Sequence, residues 1–564
     1  MNRTIVLAAA VSFALAGCAS IPTSGPVSVN PDAQITSQAD AVVPVVRPPE
    51  VGASPTAIVG GFLQANVSAT DDYAVARAFL APEVSETWRP DAGVIVYDDS
   101  NGLNLKASRT RVMLTAPEQG RLTSEGVFSA TSRTSVLSTD FTVRKVDGQW
   151  RINGVRNGLL LSVADVERVY VPVDRYFLNP SRTSLVPDRV LVPSDRRGLL
   201  TSLVRGVLAG PTRWLAPAVV TAIPSGTRLG IDAVPLDGQT ATVDLTPNVL
   251  AANDVTRRLL AAQLVWSLTS VSTVKAVKIT VSGQPLTLSG LSDVLKRDDF
   301  AGVNPQVISS STAAYVIVGK RIEKITSTGL EPVPGIFGEG SLALSSFAVN
   351  LDQSVAAATV SIAGAESTVF TAALEAGSST QPRTGFASVK SLSYGRGGEL
   401  WICDAGKVSI TSSTGKTRSV TVQGLTAVTD LRITRDGARA AVVGRDVAGT
   451  VNVFLLRVVR SGSKVSLQEP RLIQSDATAV KDVAWTDANS LVVLGKGASG
   501  VNQVFQVQVG TSNVRSAGGV SAMTVVASAP NGAVYVQGAG GVWVNSGLGW
   551  RLTVRGGSDP VFPG

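Results

Sequence analysis

The chain has 564 residues, a formal net charge of +8, two cysteines and no histidine. Without histidine there are no histidine-based triads, general bases or metal ligands, and two cysteines are too few for a thiolate zinc site. The basic residues are not clustered, so the sequence gives no nucleic-acid footprint, and the length predicts about three domains.

The first residues have the layout of an export signal. Met1-Asn2-Arg3 gives a positive start, and the apolar run over residues 4–15 is shorter than the roughly 20 residues that a membrane-spanning helix needs. Residues 15–18, LAGC, resemble the lipobox of bacterial lipoproteins. The resemblance implies cleavage between Gly17 and Cys18, and an S-diacylglycerol and an N-acyl group on Cys18. We therefore predict a signal peptide over residues 1–17; the alternative is a secreted protein with an incidental cysteine.

Residues 18–54 are predicted to be a lipidated tether. They contain several prolines among small and polar residues, without helical or alternating periodicity. No later segment has 18 uninterrupted apolar residues, so we expect the lipid to hold the protein on the extracytoplasmic face of the cell membrane.

Residues 55–167 predict helices followed by strands. Ile58, Phe62 and Leu63 repeat at helical spacing after Pro55, and Asp147-Gly148 between alternating segments is a strong hairpin signal. This order, with an antiparallel sheet, resembles the α+β cone of NTF2-like domains.

Residues 168–290 predict an α/β domain. Leu200, Leu203, Val204 and Val207 mark one face of a helix that ends at Gly210-Pro211, and a second helix and a closing strand follow. The segments LLAGPT, AIPSGTRL, ATVDLT, AAQLVWSLT and VKAVKITVSG resemble a GerMN domain in order and spacing.

Residues 300–564 contain an internal repeat of strand, turn and strand, and helical patterns cease there. The repeated turns lie at Asp352, Gly397, Asp436, Ala488 and Asn531. A period of about 40–50 residues with several strands per unit predicts an all-β propeller of about six blades, or seven if one degenerate blade escapes the pattern.

Candidate chemical groups are few. The neighbouring carboxylates Asp71-Asp72, Asp98-Asp99 and Asp298-Asp299 are best explained as caps and turns, and Gly395 to Gly398 as a blade turn. Most tryptophans, such as Trp150, Trp266, Trp401 and Trp485, are predicted to lie in cores, whereas Trp543 and Trp550 are surface candidates. Cys403 is predicted to be a buried apolar residue. We predict no catalytic residues, no metal site and no cofactor.

The order of lipobox, tether, cone, GerMN domain and propeller resembles the LpqB lipoproteins of actinobacteria, as does the run CASIPTSGPV after the lipobox. The resemblance implies a non-enzymatic accessory lipoprotein. In that role it binds the extracytoplasmic domain of a two-component sensor kinase (MtrB-like) and tunes signalling linked to the cell wall and division. Two alternatives stay open. One is a binding module for envelope glycans with exposed tryptophans; the less favoured one is a wall hydrolase with two carboxylates about 5–9.5 Å apart.

Overall fold

The computed structural model describes residues 46–194, 198–360 and 366–564. The predicted signal peptide, Gly17, Cys18 and most of the tether lie outside these residues.

The N-terminal region packs three helices on a curved sheet. The first helix begins as predicted, because the Ser54 hydroxyl accepts the N–H of Ala57 and Pro55 fills the first position, where no N–H is needed. Its buried residues include Ile58, Phe62 and Leu63. The helices are α1 (Pro55–Ala65), α2 (Thr70–Ala78) and α3 (Pro82–Thr87), and the strands are β1 (Val94–Tyr97), β2 (Asn104–Ser108), β3 (Arg111–Leu122), β4 (Phe128–Ala130), β5 (Val136–Val146), β6 (Gln149–Gly154) and β7 (Leu159–Ser162).

The sheet runs in the order β6-β5-β3-β1-β7. Asp147 and Gly148 join β5 to β6 with φ values of 49° and 78°, so the predicted hairpin turn is confirmed. The predicted strands pair antiparallel, as expected, whereas β7, which was not predicted, pairs with β1 in parallel. Only residues 155–158 link β6 to β7, although the two strands occupy opposite edges. A flat sheet would separate these edges by about 19 Å, beyond the reach of so short a link, so the sheet must curl.

The middle region is an α/β unit built around two parallel strands. β11 and β12 pair in parallel, and the helix between them is capped by Asn253, whose side chain accepts the N–H of Thr256. Leu260, Leu264 and Leu268 of that helix are fully buried. The elements are α4 (Val163–Val169), β8 (Tyr170–Leu178), β9 (Leu185–Pro193), α5 (Leu199–Ala209), β10 (Leu236–Asp237), β11 (Thr240–Leu245), α6 (Asp254–Leu268), β12 (Ala276–Val281), β13 (Gln284–Pro285) and β14 (Val294–Leu295).

The C-terminal region is built from four-stranded groups of antiparallel strands. The five predicted turns all fall between the first two strands of a group, as the repeat requires. One expectation is wrong: a one-turn helix, α7 (Ile336–Glu339), lies in this region, where Gly335 and Gly340 flank it with positive φ. It packs Phe337 into the cluster beneath β15 and β18.

In the described residues, six such groups follow one another. The first contains β15 (Tyr315–Val318), β16 (Arg321–Ile325), β17 (Leu330–Pro332) and β38 (Gly557–Val561), and the second β18 (Leu344–Val349), β19 (Val355–Val360), β20 (Ser367–Ala373) and β21 (Gln381–Phe386). The third contains β22 (Val389–Tyr394), β23 (Leu400–Asp404), β24 (Lys407–Thr411) and β25 (Thr417–Val422), and the fourth β26 (Leu425–Ile433), β27 (Arg439–Asp446), β28 (Val451–Ser461) and β29 (Lys464–Leu472). The fifth contains β30 (Thr478–Trp485), β31 (Ser490–Lys496), β32 (Asn502–Gln508) and β33 (Val514–Ser516), and the last β34 (Val525–Ser528), β35 (Val534–Gly538), β36 (Gly541–Asn545) and β37 (Trp550–Arg555).

The ring closes through the end of the chain. β38 completes the first group by pairing with β15, with Tyr315 opposite Val561. The predicted multidomain class, an α+β domain, an α/β domain and an all-β propeller, is confirmed.

Candidate functional site

The centre of the propeller contains a cavity of about 160 Å³. It is lined by β18, β22, β26, β30, β34 and β38, the strand of each group that lies nearest the axis. The lining carries both signs of charge: Lys390, Arg432, Arg435 and Lys481 are positive, and three aspartates are negative. We call the residues that line this cavity the channel site.

Three buried aspartates in the channel connect neighbouring groups of strands. Each accepts a hydrogen bond from a backbone N–H of the next axial strand: Asp430 from Val483 at 3.1 Å, Asp482 from Val526 at 2.8 Å and Asp559 from Phe347 at 2.8 Å. The hydroxyl of Ser391 does the same for the N–H of Leu431. Axial strands have no backbone partner on their inner edge, so these side chains satisfy donors that would otherwise be buried unpaired.

Arg432 bridges two of the aspartates. Its guanidinium lies 2.9 Å from Asp430 and 3.0 Å from Asp482. Burial raises the pKa of Asp482 well above its usual value, and the neighbouring Asp430 raises it further, whereas Arg432 opposes both effects. The carboxyl of Asp482 therefore keeps its proton to a higher pH than an exposed aspartate does.

Asp559 is also shifted. Burial raises its pKa to about 7, although the N–H of Phe347 and the charge of Arg432 act in the opposite direction. The channel thus holds two carboxyl groups whose pKa values lie above the ordinary aspartate value.

The channel aspartates have a structural role, since each accepts a backbone N–H. A ligand pocket usually measures about 300–1,000 Å³, so the cavity of about 160 Å³ holds a few water molecules and no sugar chain. Hydrolysis of a glycan would also need two carboxylates free to flank the bond. Here one oxygen of each aspartate is occupied by a backbone N–H. Throughout residues 46–194, 198–360 and 366–564, no three histidine, cysteine, aspartate or glutamate side chains lie together as metal ligands.

These aspartates were not among the predicted site residues, although the sequence contains a signal for them. Asp430 precedes the repeat turn at Asp436, and Asp482 precedes the repeat turn at Ala488 by the same number of residues. A threonine follows each of these aspartates four residues later. A carboxylate at a fixed place in a repeat, within an otherwise apolar strand, indicates a recurring buried contact.

A second feature that the sequence analysis missed is the joint between the α/β region and the propeller. Asp174 of β8 accepts two hydrogen bonds from Arg189 of β9, at 2.8 and 2.9 Å, and a third from Asn489 of a propeller turn, at 2.9 Å. Nearby, Trp214 donates to the carbonyl of Glu469 and accepts, through its own carbonyl, from Arg457. An apolar cluster adds Ala438 of the propeller to Phe177, Val186, Leu215, Ala218 and Val219 of the α/β region.

The N-terminal region is joined to both of the others. Leu191 donates its N–H to the carbonyl of Gly126 at 2.8 Å and lies in the core of the N-terminal region, whereas Val127 lies in the core of the α/β region. Arg471 of β29 donates to the hydroxyl of Ser129 at 3.0 Å. The described residues therefore form one compact unit in which all three regions contact one another.

Family models match three segments of the chain. They are "Lipoprotein LpqB, N-terminal domain" over residues 48–167, "Sporulation and spore germination" over residues 174–287 and "Lipoprotein LpqB beta-propeller domain" over residues 321–563. Lipoprotein LpqB of Thermobifida fusca is 30% identical, over 99% of this chain and 99% of the relative. The chain belongs to the LpqB lipoprotein family. Lipoprotein LpqB of Cutibacterium acnes is 27% identical, over 93% of this chain and 92% of the relative.

Among solved structures, TolB from Acinetobacter baumannii is similar to part of this LpqB-family chain. It has 14% sequence identity and a TM-score of 0.36, over 45% of this chain and 66% of TolB. None of the described helices is both long enough and apolar enough to span a membrane.

Several residues singled out in the sequence of this LpqB-family chain have structural roles. Trp266, Trp401 and Trp485 are buried, as predicted, whereas Trp150 is only half-buried. Trp543 and Trp550 are half-buried rather than freely exposed: each packs on the core of the last propeller groups and donates its indole N–H to a backbone carbonyl. They offer less surface for stacking on a sugar than the sequence suggested.

Of the remaining residues singled out in the sequence, Cys403, Asp98 and Gly397 lie as predicted, whereas Asp71 does not. Cys403 is fully buried, and burial raises the pKa of its thiol to about 12. Asp98 accepts the N–H of Ser100 in a turn. Asp71 is no helix cap: with Asp72 and Tyr73 it has a positive φ, so right-handed helix begins after Tyr73. Gly397 lies in a propeller turn, where no helix follows to hold a phosphate.

Proposed function

We propose that this chain is an extracytoplasmic accessory lipoprotein that acts by binding. Signal peptidase cleavage would free Cys18 from residues 1–17, and Cys18 would carry the diacylglycerol and N-acyl groups. Two acyl chains suffice for stable attachment, at about 0.8 kcal/mol per buried methylene. The boundaries we propose are residues 18–54 for the tether, 55–167 for the NTF2-like domain, 168–290 for the GerMN domain and 300–564 for the propeller.

The observation that carries the proposal of binding is the single body formed by the three domains. Two kinds of contact fix the domains against one another. Asp174 and Asn489 form a buried hydrogen bond between domains. Leu191 of the α/β region packs in the N-terminal core, and Val127 of the N-terminal region packs in the α/β core. A surface that spans domains keeps its shape without a partner, so less ordering entropy is lost on binding. The channel aspartates, which would be the natural catalytic candidates, already bond to the propeller backbone.

The partner we propose is the extracytoplasmic domain of a two-component sensor kinase, MtrB-like, whose signalling is linked to the cell wall and division. Membership of the LpqB family and the lipobox support this proposal. A proline-rich tether over residues 19–54 extends to at most on the order of 100 Å, which lets the body reach a kinase in the same membrane. Attachment of both proteins to one membrane raises their effective concentration, so a modest affinity suffices.

The test combines retention and crosslinking. The anchored protein and a soluble Cys18→Ala form are each immobilised and offered the kinase ectodomain, with the ectodomain of an unrelated sensor kinase as the control. We expect both forms to retain the kinase ectodomain and not the control, and we expect crosslinks on intact membranes to weaken for Cys18→Ala. If neither form retains the ectodomain under mild conditions, the proposed partner is wrong. Turnover of a wall fragment by the purified protein would overturn the proposal of a non-enzymatic role.

A further inference from the structure

The third and fourth groups of the propeller are joined at their outer edges. β25 and β29 pair in parallel through two positions, Thr421 with Ser466 and Val422 with Leu467. The pairing does not continue toward the preceding turns, and a cavity of about 560 Å³ opens there between the two groups. We call this cavity the edge groove; its volume lies within the range of small-molecule sites, about 300–1,000 Å³.

The lining of the edge groove combines cations with hydroxyl and amide groups. Arg418 and Lys464 supply two positive charges, and hydrogen-bonding side chains include those of Ser419, Thr421 and Gln468. No aspartate, glutamate or aromatic side chain is found among the described residues that line it. The missing carboxylates leave both cations available to a bound anion, and the missing aromatic side chains exclude recognition of nucleobases by stacking.

Arg418 has unused hydrogen-bonding capacity. One terminal nitrogen of its guanidinium donates to the carbonyl of Ser463, which fixes the position of the side chain. Its Nε is buried and has no hydrogen-bond partner in the described part of the chain. Because Nε is closed off from solvent, the donors that a ligand oxygen can reach are the terminal N–H groups that the contact with Ser463 leaves unused.

We propose that the edge groove binds a phosphorylated sugar. The phosphate would lie between Arg418 and Lys464, where guanidinium and ammonium groups provide charge-assisted hydrogen bonds. The sugar hydroxyls would contact Ser419, Thr421 and Gln468, whose side chains both donate and accept. The apolar floor formed by Ile410, Val459 and Val465 would face the sugar ring.

The test measures binding of α-D-glucose 1-phosphate to the full soluble chain by titration calorimetry, with D-glucose and inorganic phosphate at matched ionic strength as comparison probes. We expect glucose 1-phosphate to bind more tightly than either comparison probe, with an affinity that falls as salt is added. Lys464→Ala and Arg418→Ala should each weaken it at least tenfold, since one charge-assisted hydrogen bond contributes about 1.5–3 kcal/mol. Ser419→Ala should reduce binding of glucose 1-phosphate and leave binding of phosphate unchanged.

A matched control is Lys496→Ala, which removes an exposed lysine from β31, outside the groove. Binding of glucose 1-phosphate should survive in this variant. Thermal unfolding checks that Arg418→Ala still folds; if it does not, Lys464→Ala and Ser419→Ala carry the test. Equal affinity for inorganic phosphate and glucose 1-phosphate would overturn sugar recognition. Absence of binding, or binding that both groove variants leave unchanged, would overturn the site.

Discussion

The substitution Asp559→Asn should remove a pH dependence from the free energy of unfolding, because this carboxyl group titrates in the folded propeller. The carboxyl of Asp559 is buried, and burial raises its pKa to about 7 from an ordinary value of 3.8. As the pH falls from 8 toward 5.5, the folded state takes up a proton at Asp559 and the unfolded state does not. The folded state then binds more protons, so the free energy of unfolding rises as the pH falls, and the gain is complete below the unfolded pKa.

The size of the effect follows from the two pKa values. Between pH 8 and pH 5.5 the native protein should gain about 2 kcal/mol of stability from this one group. Asparagine keeps the side-chain oxygen that accepts the N–H of Phe347 and has no ionisable proton. The variant should therefore lose the pH-dependent gain while it keeps the hydrogen bond.

Urea unfolding of both proteins, followed by tryptophan fluorescence at the two pH values, measures this difference, because contributions from other titrating groups cancel. Asp140→Asn, on the exposed side of β5, controls for the removal of a carboxylate. If the stabilities of wild type and Asp559→Asn change by the same amount between the two pH values, Asp559 is ionised when folded and our account of the channel is wrong.

Three further predictions concern the joints and the anchor. Asp174→Ala leaves Arg189 buried without its carboxylate, so we expect about 3–5 kcal/mol of destabilisation in urea unfolding; a change under about 1 kcal/mol would show that the joint contributes little. Gly126→Val places a Cβ 2.5 Å from a carbonyl of β9 at a φ of +83°, so protease cleavage at this junction should accelerate, and an unchanged digestion pattern would contradict the close contact. Cys18→Ala should move the protein from the detergent phase to the aqueous phase in Triton X-114 partition, whereas a variant that stays in the detergent phase would refute the anchor at this residue.

Local patterns in the sequence predicted the elements well because short-range physics sets them. Pro55 and the spacing of Ile58, Phe62 and Leu63 determine the first helix. The turn at Asp436 is recognisable because its residues tolerate the backbone that a tight turn requires. The repeat of such turns was sufficient to predict a propeller.

The contacts between domains could not be predicted in this way. Asp174 and Asn489 are 315 residues apart, and nothing in the pattern around either one indicates the other. The edge groove depends on how two neighbouring groups of strands diverge, which is a property of packing and not of periodicity. The channel aspartates lie between these cases, since their place in the repeat is visible but their partners are not.

The pairing of β15 with β38 has a consequence for how the protein is made. The two strands are separated by more than two hundred residues, so the ring stays open until the last segment of the ring has been made. Contacts of such long sequence separation form slowly, and until they form the unpaired edges of the first and last groups can associate with other chains. Loss of the last strand by premature termination should therefore leave a chain with an open ring, which proteases degrade.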